Sequence, residues 1–85
     1  MLEKKGKELK YEIINEIGVV SESKSGWKLE LNRVSWNGNE PKYDLRTWSA
    51  NHEKMGKGIT LTEDELIQLT EVLKKEVEFL KSEEL

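Results

Sequence analysis

The sequence predicts an α+β fold in which four strands are followed by one long helix. Three observations lead there. Apolar residues alternate with period two through the first two thirds of the chain, an Asn37-Gly38 pair separates two such runs, and a stripe of helical spacing follows a capping sequence. Alternation puts every second side chain on one face of a strand, whereas i, i+3, i+4 spacing builds one face of a helix. One helix behind one sheet makes a two-layer domain. The 85 residues allow a single domain, with the charged residues 1–8 read as a flexible N-terminal segment and residues 9–82 as the domain. A domain this short buries a modest fraction of its surface, so association is a natural source of stability.

The first strand is expected from Leu9, Tyr11, Ile13, Ile17 and Val19, interrupted at Asn15. Leu9, Ile13 and Ile17 would also fit a helix, but Tyr, Ile and Val favour a strand and Gly18 weakens a helix. Ser21 to Gly26 is a polar turn. The second strand, Trp27 to Trp36, sets Leu29 and Leu31 on one side and Lys28, Glu30 and Asn32 on the other. Continued unbroken, that parity sends Arg33 inward and Val34 outward, so a β-bulge near Asn32–Arg33 is expected to turn them over. Asn37-Gly38 is a hairpin signal within a loop closed by Pro41. The third strand is Lys42 to Trp48, and the polar loop Ser49 to Gly56 leads to a short fourth strand, Lys57-Gly-Ile-Thr-Leu61.

Thr62-Glu-Asp-Glu65 is a capping box, in which the threonine hydroxyl takes an orphan amide and Glu65 reaches back. Its acids also suit the helix dipole. Leu66, Leu69, Leu73, Val77 and Leu80 form the stripe that faces the sheet, along a helix of about twenty residues, or roughly 30 Å. Val72 and Phe79 make a second ridge with no partner in the chain. The economical occupant is a second copy, giving a two-fold homodimer with Val72 and Phe79 at its interface.

Cysteine is absent, which excludes disulfides and thiolate metal sites. No apolar run approaches the roughly 20 residues that span a bilayer, and the opening Met-Leu-Glu-Lys-Lys-Gly-Lys7 lacks a signal-peptide core. A soluble cytoplasmic protein with no membrane partner is expected. The net charge of -3 argues at first against nucleic acid. Its distribution argues the other way: residues 24–61 hold seven cations against four acids, while residues 62–85 hold three against eight. The middle can therefore present a positive surface. Weak overall charge implies modest affinity and strong salt sensitivity.

Within that middle, Lys42, Asp44, Arg46 and Trp48 alternate along one strand and share a face. Two cations and a carboxylate are costly to bury, so this row is expected to face solvent, with Tyr43, Leu45 and Thr47 toward a core. Positive charge ending in an indole suits a phosphate backbone with unpaired bases, where cations track phosphates and rings accept stacked bases. The plain alternative is a solvated strand face that holds a tryptophan. Lys54 and Lys57 flank Met55 and Gly56, where glycines would let backbone amides approach a phosphate. Trp27 reads as core, Trp48 as the stacking candidate by parity, and the side taken by Trp36 depends on the bulge.

No catalytic constellation is visible. His52-Glu53 begins like a zinc-protease motif, but the second histidine would fall where Gly56 stands, and His52 is the only histidine. It reads as a solvated loop residue, and no metal or cofactor is expected. Gly56-Lys57 lacks the following Ser or Thr of a phosphate loop, and Asn51 occupies the position of its earlier glycine. The carboxylates of the helix repeat along a solvated face.

Trp27-Lys-Leu-Glu-Leu-Asn-Arg-Val-Ser-Trp36, Lys42-Tyr-Asp-Leu-Arg-Thr-Trp48 and Lys57-Gly-Ile-Thr-Leu61, followed by the capped helix, resemble in order and spacing the positive cofactor 4 family of transcriptional coactivators. The short bacterial YdbC-like branch is the most similar, and the likeness spans roughly residues 9–80. It implies a curved antiparallel sheet, a homodimer and single-stranded DNA bound across the concave face, with the transcription machinery as a further partner. Arg46 and Lys57 match the family's binding cations. Trp48 corresponds to a binding tryptophan, two residues after the arginine where eukaryotic members have three. Trp36 stands in for a stacking aromatic of the hairpin between strands two and three. The basic residues of that hairpin are replaced by Asn37-Gly38-Asn39-Glu40, and the arginine of the family's last loop aligns with Gly56.

The expectation is thus a non-enzymatic, homodimeric single-stranded DNA-binding protein of low sequence specificity, a coactivator or regulator of transcription, with single-stranded RNA as the alternative ligand. Lys28, Arg33, Lys42, Arg46, Lys54 and Lys57 would neutralise phosphates, and Trp36 and Trp48 would stack bases. A concave sheet with exposed rings offers nothing that enters a major groove, which favours single strands over duplex. A dimeric protein-interaction module could use the same sheet for an acidic partner. A carbohydrate-binding module would also show tryptophans on a sheet, but it has little use for interleaved lysine and arginine.

Overall fold

The computed structural model describes residues 10–83, so the expected flexible segment 1–8 lies outside the described residues. Strands β1 (Tyr11–Glu22), β2 (Lys28–Trp36), β3 (Lys42–Trp48) and β4 (Met55–Leu61) precede helix α1 (Glu63–Glu83). They form one sheet in the order β1-β2-β3-β4, with each neighbouring pair antiparallel. The element order is the expected one. Three boundaries move: β1 runs on past Val19 to Glu22, β2 begins at Lys28 instead of Trp27, and β4 begins at Met55.

The local signals act as their chemistry requires. Asn37 and Gly38 both have positive φ, 53° and 77°, and the Asn39 amide donates to the Trp36 carbonyl at 2.9 Å, which is a type I′ turn. At the helix start the Glu65 amide donates to Thr62 Oγ1 at 3.1 Å, and the Thr62 amide donates to the Glu65 carboxylate at 2.8 Å.

The bulge expected at Asn32–Arg33 is absent. β2 and β3 pair without interruption from Lys28↔Trp48 to Val34↔Lys42, so Arg33 lies on the face opposite Lys28 and Trp36. The irregularities fall at the two edges: the register of β1 against β2 shifts at Ile14, Ile17 and Val20, and β4 carries one extra residue between Met55 and Gly58 against β3. The unbroken β3 ladder holds β2 in register, whereas β1 is an edge strand with no ladder on its outer side. Each bulge bends a strand and increases its twist. Three in succession curl the sheet. Trp36 and Trp48 end antiparallel strands at opposite ends of the sheet, yet the Tyr11 ring lies 5.6 Å from one and 5.5 Å from the other. The face they share is concave.

That face carries Lys28, Glu30, Asn32, Val34 and Trp36 of β2 against Lys42, Asp44, Arg46 and Trp48 of β3. The buried side chains are Val34, Trp48, Asn32 and Asp44, all on it. On the outer face Leu29, Leu31 and Leu45 are half-buried and Ile59 is exposed. The helix does not cover them. No helix residue is buried, and Leu73 and Leu80 (51 and 52 % exposed) are as open as Val72 and Phe79 (54 and 55 %).

The reading of the first stripe as the sheet's partner is therefore corrected for most of its length. Leu66 and Leu69 are half-buried where the helix leaves the sheet, but Leu73, Val77 and Leu80, like Val72 and Phe79, are uncovered, so the second layer is not made within one chain. The cause is the junction. Thr62 alone separates β4 from α1, too short a link to fold the helix back across the sheet, so α1 approaches only β3 and β4. The radius of gyration is 16.2 Å, against about 12 Å for a compact domain of this length.

Candidate nucleic-acid interface

Strand parity places Lys42, Asp44, Arg46 and Trp48 on one face, as expected, with Lys28 and Trp36 beside them. The row does not all face solvent: Asp44 and Trp48 are buried, Arg46 is half-buried and Lys42 is exposed. The charges tolerate this because they are paired. Asp44 accepts from Arg46 Nε at 2.7 Å and from Nη2 at 2.8 Å, a bidentate arrangement that removes the cost of burying either charge alone. Nη1 donates to the Gly56 carbonyl at 3.2 Å, tying β3 to β4. The guanidinium carbon also lies 4.8 Å from the centre of the Trp36 ring, within cation–π range. Arg46 thus fixes Trp36. The glycines of β4 make the crossing possible: a Cβ on Gly58 would collide with Arg46 and the Leu45 carbonyl, and one on Gly56 with the Thr47 side chain.

His52, read from the sequence as a solvated loop residue, is half-buried. Its ring lies flat on Trp48, with centroids 4.1 Å apart and planes 4° from parallel. The loop folds back because its polar side chains knit it together. The His52 amide donates to the Ser49 carbonyl at 2.8 Å, the Lys54 amide to Ser49 Oγ at 2.9 Å and the Glu53 amide to Asn51 Oδ1 at 3.1 Å. His52 has φ of 64°, a left-handed backbone that costs on the order of 1 kcal/mol. The stack offsets that cost, as does a 2.9 Å hydrogen bond between Nε2 and Glu30 Oε1.

Asn32 Nδ2 donates to the same Glu30 oxygen at 3.1 Å. Burial pushes the Glu30 carboxyl up, but the hydrogen bonds from His52 and Asn32, with the nearby charges of His52 and Lys28, outweigh it and hold the group below its ordinary 4.5. Glu30, Asn32, His52 and Tyr11 were not assigned to the site by sequence. The one available signal was Ser49 and Asn51, turn-forming side chains placed to bring residue 52 over Trp48.

The structure brings together Lys28, Trp36, Lys42, Arg46 and Trp48 on the concave side, with exposed Lys54 at the rim. Lys57 adjoins Gly58, the partner of Arg46, so parity puts it on the outer face of an edge strand. Arg33 pairs across to Tyr43 on that outer face and borders a groove of about 480 Å³ with Asn15, Glu40 and Glu63. On the concave side a second groove, of about 340 Å³, stays open between β1 and His52 and is lined by Lys28, Glu30 and Asn32. Among the described residues no group of three His, Cys, Asp or Glu could hold a metal ion, and no helix is long and apolar enough to cross a membrane.

This stretch of chain is recognisable in other proteins. A family model described as Transcriptional Coactivator p15 (PC4) matches residues 23–72, from the β1–β2 turn through β4 and into α1. A protein of Treponema pallidum (strain Nichols), described as uncharacterized, is 49% identical over 63 residues, which are 74% of this chain and 74% of that protein.

Proposed function

The chain belongs to the transcriptional coactivator p15 (PC4) family, and on that premise we propose that it is a non-enzymatic, cytoplasmic homodimer that binds single-stranded DNA on its concave face and regulates transcription. The observation that carries the reading is the run of rings on that face, where Tyr11 meets Trp36 and Trp48 and His52 stacks on Trp48. Rings held beside cations on a curled sheet suit unpaired bases, and stacking of this kind is tolerant of sequence. Lys28, Lys42 and Lys54 neutralise phosphates, and Lys57 reaches round the β4 edge to do the same. Trp36, set by Arg46, and the Trp48 stack hold bases. Arg33, on the outer face, stands outside this row. Single-stranded RNA is the alternative ligand, since stacked bases and neutralised phosphates are common to both nucleic acids.

The second copy supplies the missing layer. Leu73, Val77 and Leu80, with Val72 and Phe79, are the exposed apolar side chains it would cover, together with Ile59 of the sheet. Burial of such surface contributes about 25 cal/mol per Å².

A tryptophan-fluorescence titration with oligo(dT), oligo(U) and duplex of equal length tests the ligand. Oligo(dT) should quench the emission and bind more tightly than duplex. Duplex affinity equal to or above that of oligo(dT) would sink the single-strand reading, and tighter oligo(U) would make RNA the ligand.

A further inference from the structure

We infer that the groove between β1 and His52 is a slot for one base of the bound strand, with His52 as its stacking platform and the Glu30 carboxylate, fixed from beneath by Asn32, as the reader of a guanine edge. The inference rests on the single-strand reading above and names the base which that site prefers.

Trp48 cannot itself take a base in this arrangement. It is fully buried, with Tyr11 tilted against it and His52 flat upon it. The stack is handed on to His52, whose ring is partly exposed and borders the open groove. The indole behind it and the bond to Glu30 hold that imidazole in one orientation. Its left-handed backbone persists because the surroundings over-determine it, which is how strain is retained at functional sites.

The floor of the groove decides which base enters. Glu30 uses Oε1 for His52 and Asn32. Among the described residues no hydrogen bond reaches Glu30 Oε2, so one oxygen of a partly exposed carboxylate is left unused, while the buried Asn32 holds that carboxylate in place. A carboxylate here repels phosphate and therefore needs a base edge that carries donors. Single-stranded bases are commonly read on their Watson–Crick edges. Guanine presents two adjacent donors there, N1–H and the 2-amino group. Thymine presents one donor between two carbonyl oxygens, which would face the carboxylate. Lys28 borders the same groove and is placed to take the phosphate of the nucleotide whose base is bound.

The experiment compares, on the full chain, an all-dT oligonucleotide with the same oligonucleotide carrying one central dG or one deoxyinosine, which lacks the 2-amino group. The dG oligonucleotide should bind about tenfold more tightly than all-dT, the low end for a two-bond base contact, with deoxyinosine between them. Glu30→Gln should bring the dG-to-dT ratio close to one, and His52→Ala should weaken binding of the dG oligonucleotide. Equal affinity for dG and dT overturns the inference, and so does His52→Ala tightening every oligonucleotide, which would make His52 a lid over Trp48. Failure of oligo(dT) to bind at all would remove the single-strand reading as well. Oligo(dT) binding with no gain from dG removes only the slot.

Discussion

The two faces of this sheet meet opposite problems. The concave face encloses polar groups, and the chain itself satisfies most of them: Asp44 holds Arg46 by two bonds, and Asn32 and His52 share an oxygen of Glu30. The outer face and the helix expose hydrocarbon instead, at Ile59, Leu73, Val77 and Leu80. Polar pairs can be closed locally because they need one correctly placed partner. Apolar burial is non-directional and grows with area, so it needs a whole second surface. The concave face is therefore closed largely within one chain, with the indole N–H groups of Trp36 and Trp48 left without partners, whereas the outer face of a single chain stays open.

The largest effect is expected on the outer side. The native protein should sediment at twice the mass of the 9.9 kDa chain, and Phe79→Glu should yield monomers, or unfolded chain where the monomer cannot stand alone. The reason is an unpaired charge forced into an apolar contact. A native species of 9.9 kDa at micromolar concentration would mean that both faces are complete in one chain.

On the concave side, Asp44→Ala should cost about 3 kcal/mol of stability in urea unfolding, because it strands the Arg46 guanidinium without its carboxylate. Loss of under 1 kcal/mol (roughly the worth of an exposed pair) would mean that this network is open to water.

Smaller again is the effect of single phosphate contacts. Lys42→Ala should reduce the slope of log affinity against log salt by about 0.7 with stability unchanged. Arg33→Ala, on the other face, should leave that slope alone. An equal change from both would show that the faces do not divide the work.

The smallest effect is a pH dependence. Folding holds the Glu30 carboxyl below 4.5, so the ionised form is favoured in the native state. Its contribution is fully present above about 4.5 and is lost as pH falls through the lowered value. The difference in melting temperature between native protein and Glu30→Gln should stay constant from neutral pH to that point and close below it. A difference that persists to lower pH would assign the effect to packing instead.

Much of this arrangement could be read along the chain. The Asn37-Gly38 turn, the Thr62–Glu65 cap and the shared face of Lys42, Asp44, Arg46 and Trp48 depend on residues a few positions apart, and local chemistry decided each. What the sequence could not show was that the face closes on itself. That depends on Tyr11 arriving over Trp48, which follows from register shifts at Ile14, Ile17 and Val20, and no residue type there marks a bulge. The same gap misplaced Arg33, for which a bulge in β2 was expected. Pairing to β3 forbids one there. The helix stripe was legible as apolar but not as uncovered, because periodicity reports which residues seek burial and not what buries them.

The bulges of β1 carry one more consequence, for behaviour in concentrated solution. A twelve-residue edge strand holding Ile13, Ile14, Ile17, Val19 and Val20 would, if flat, offer its free amides as a template for strand after strand, the route to fibrils. A shift of register at every third residue spoils the even spacing that an incoming straight strand must match. The irregularity that curls one side of the sheet thereby also stops the other from growing.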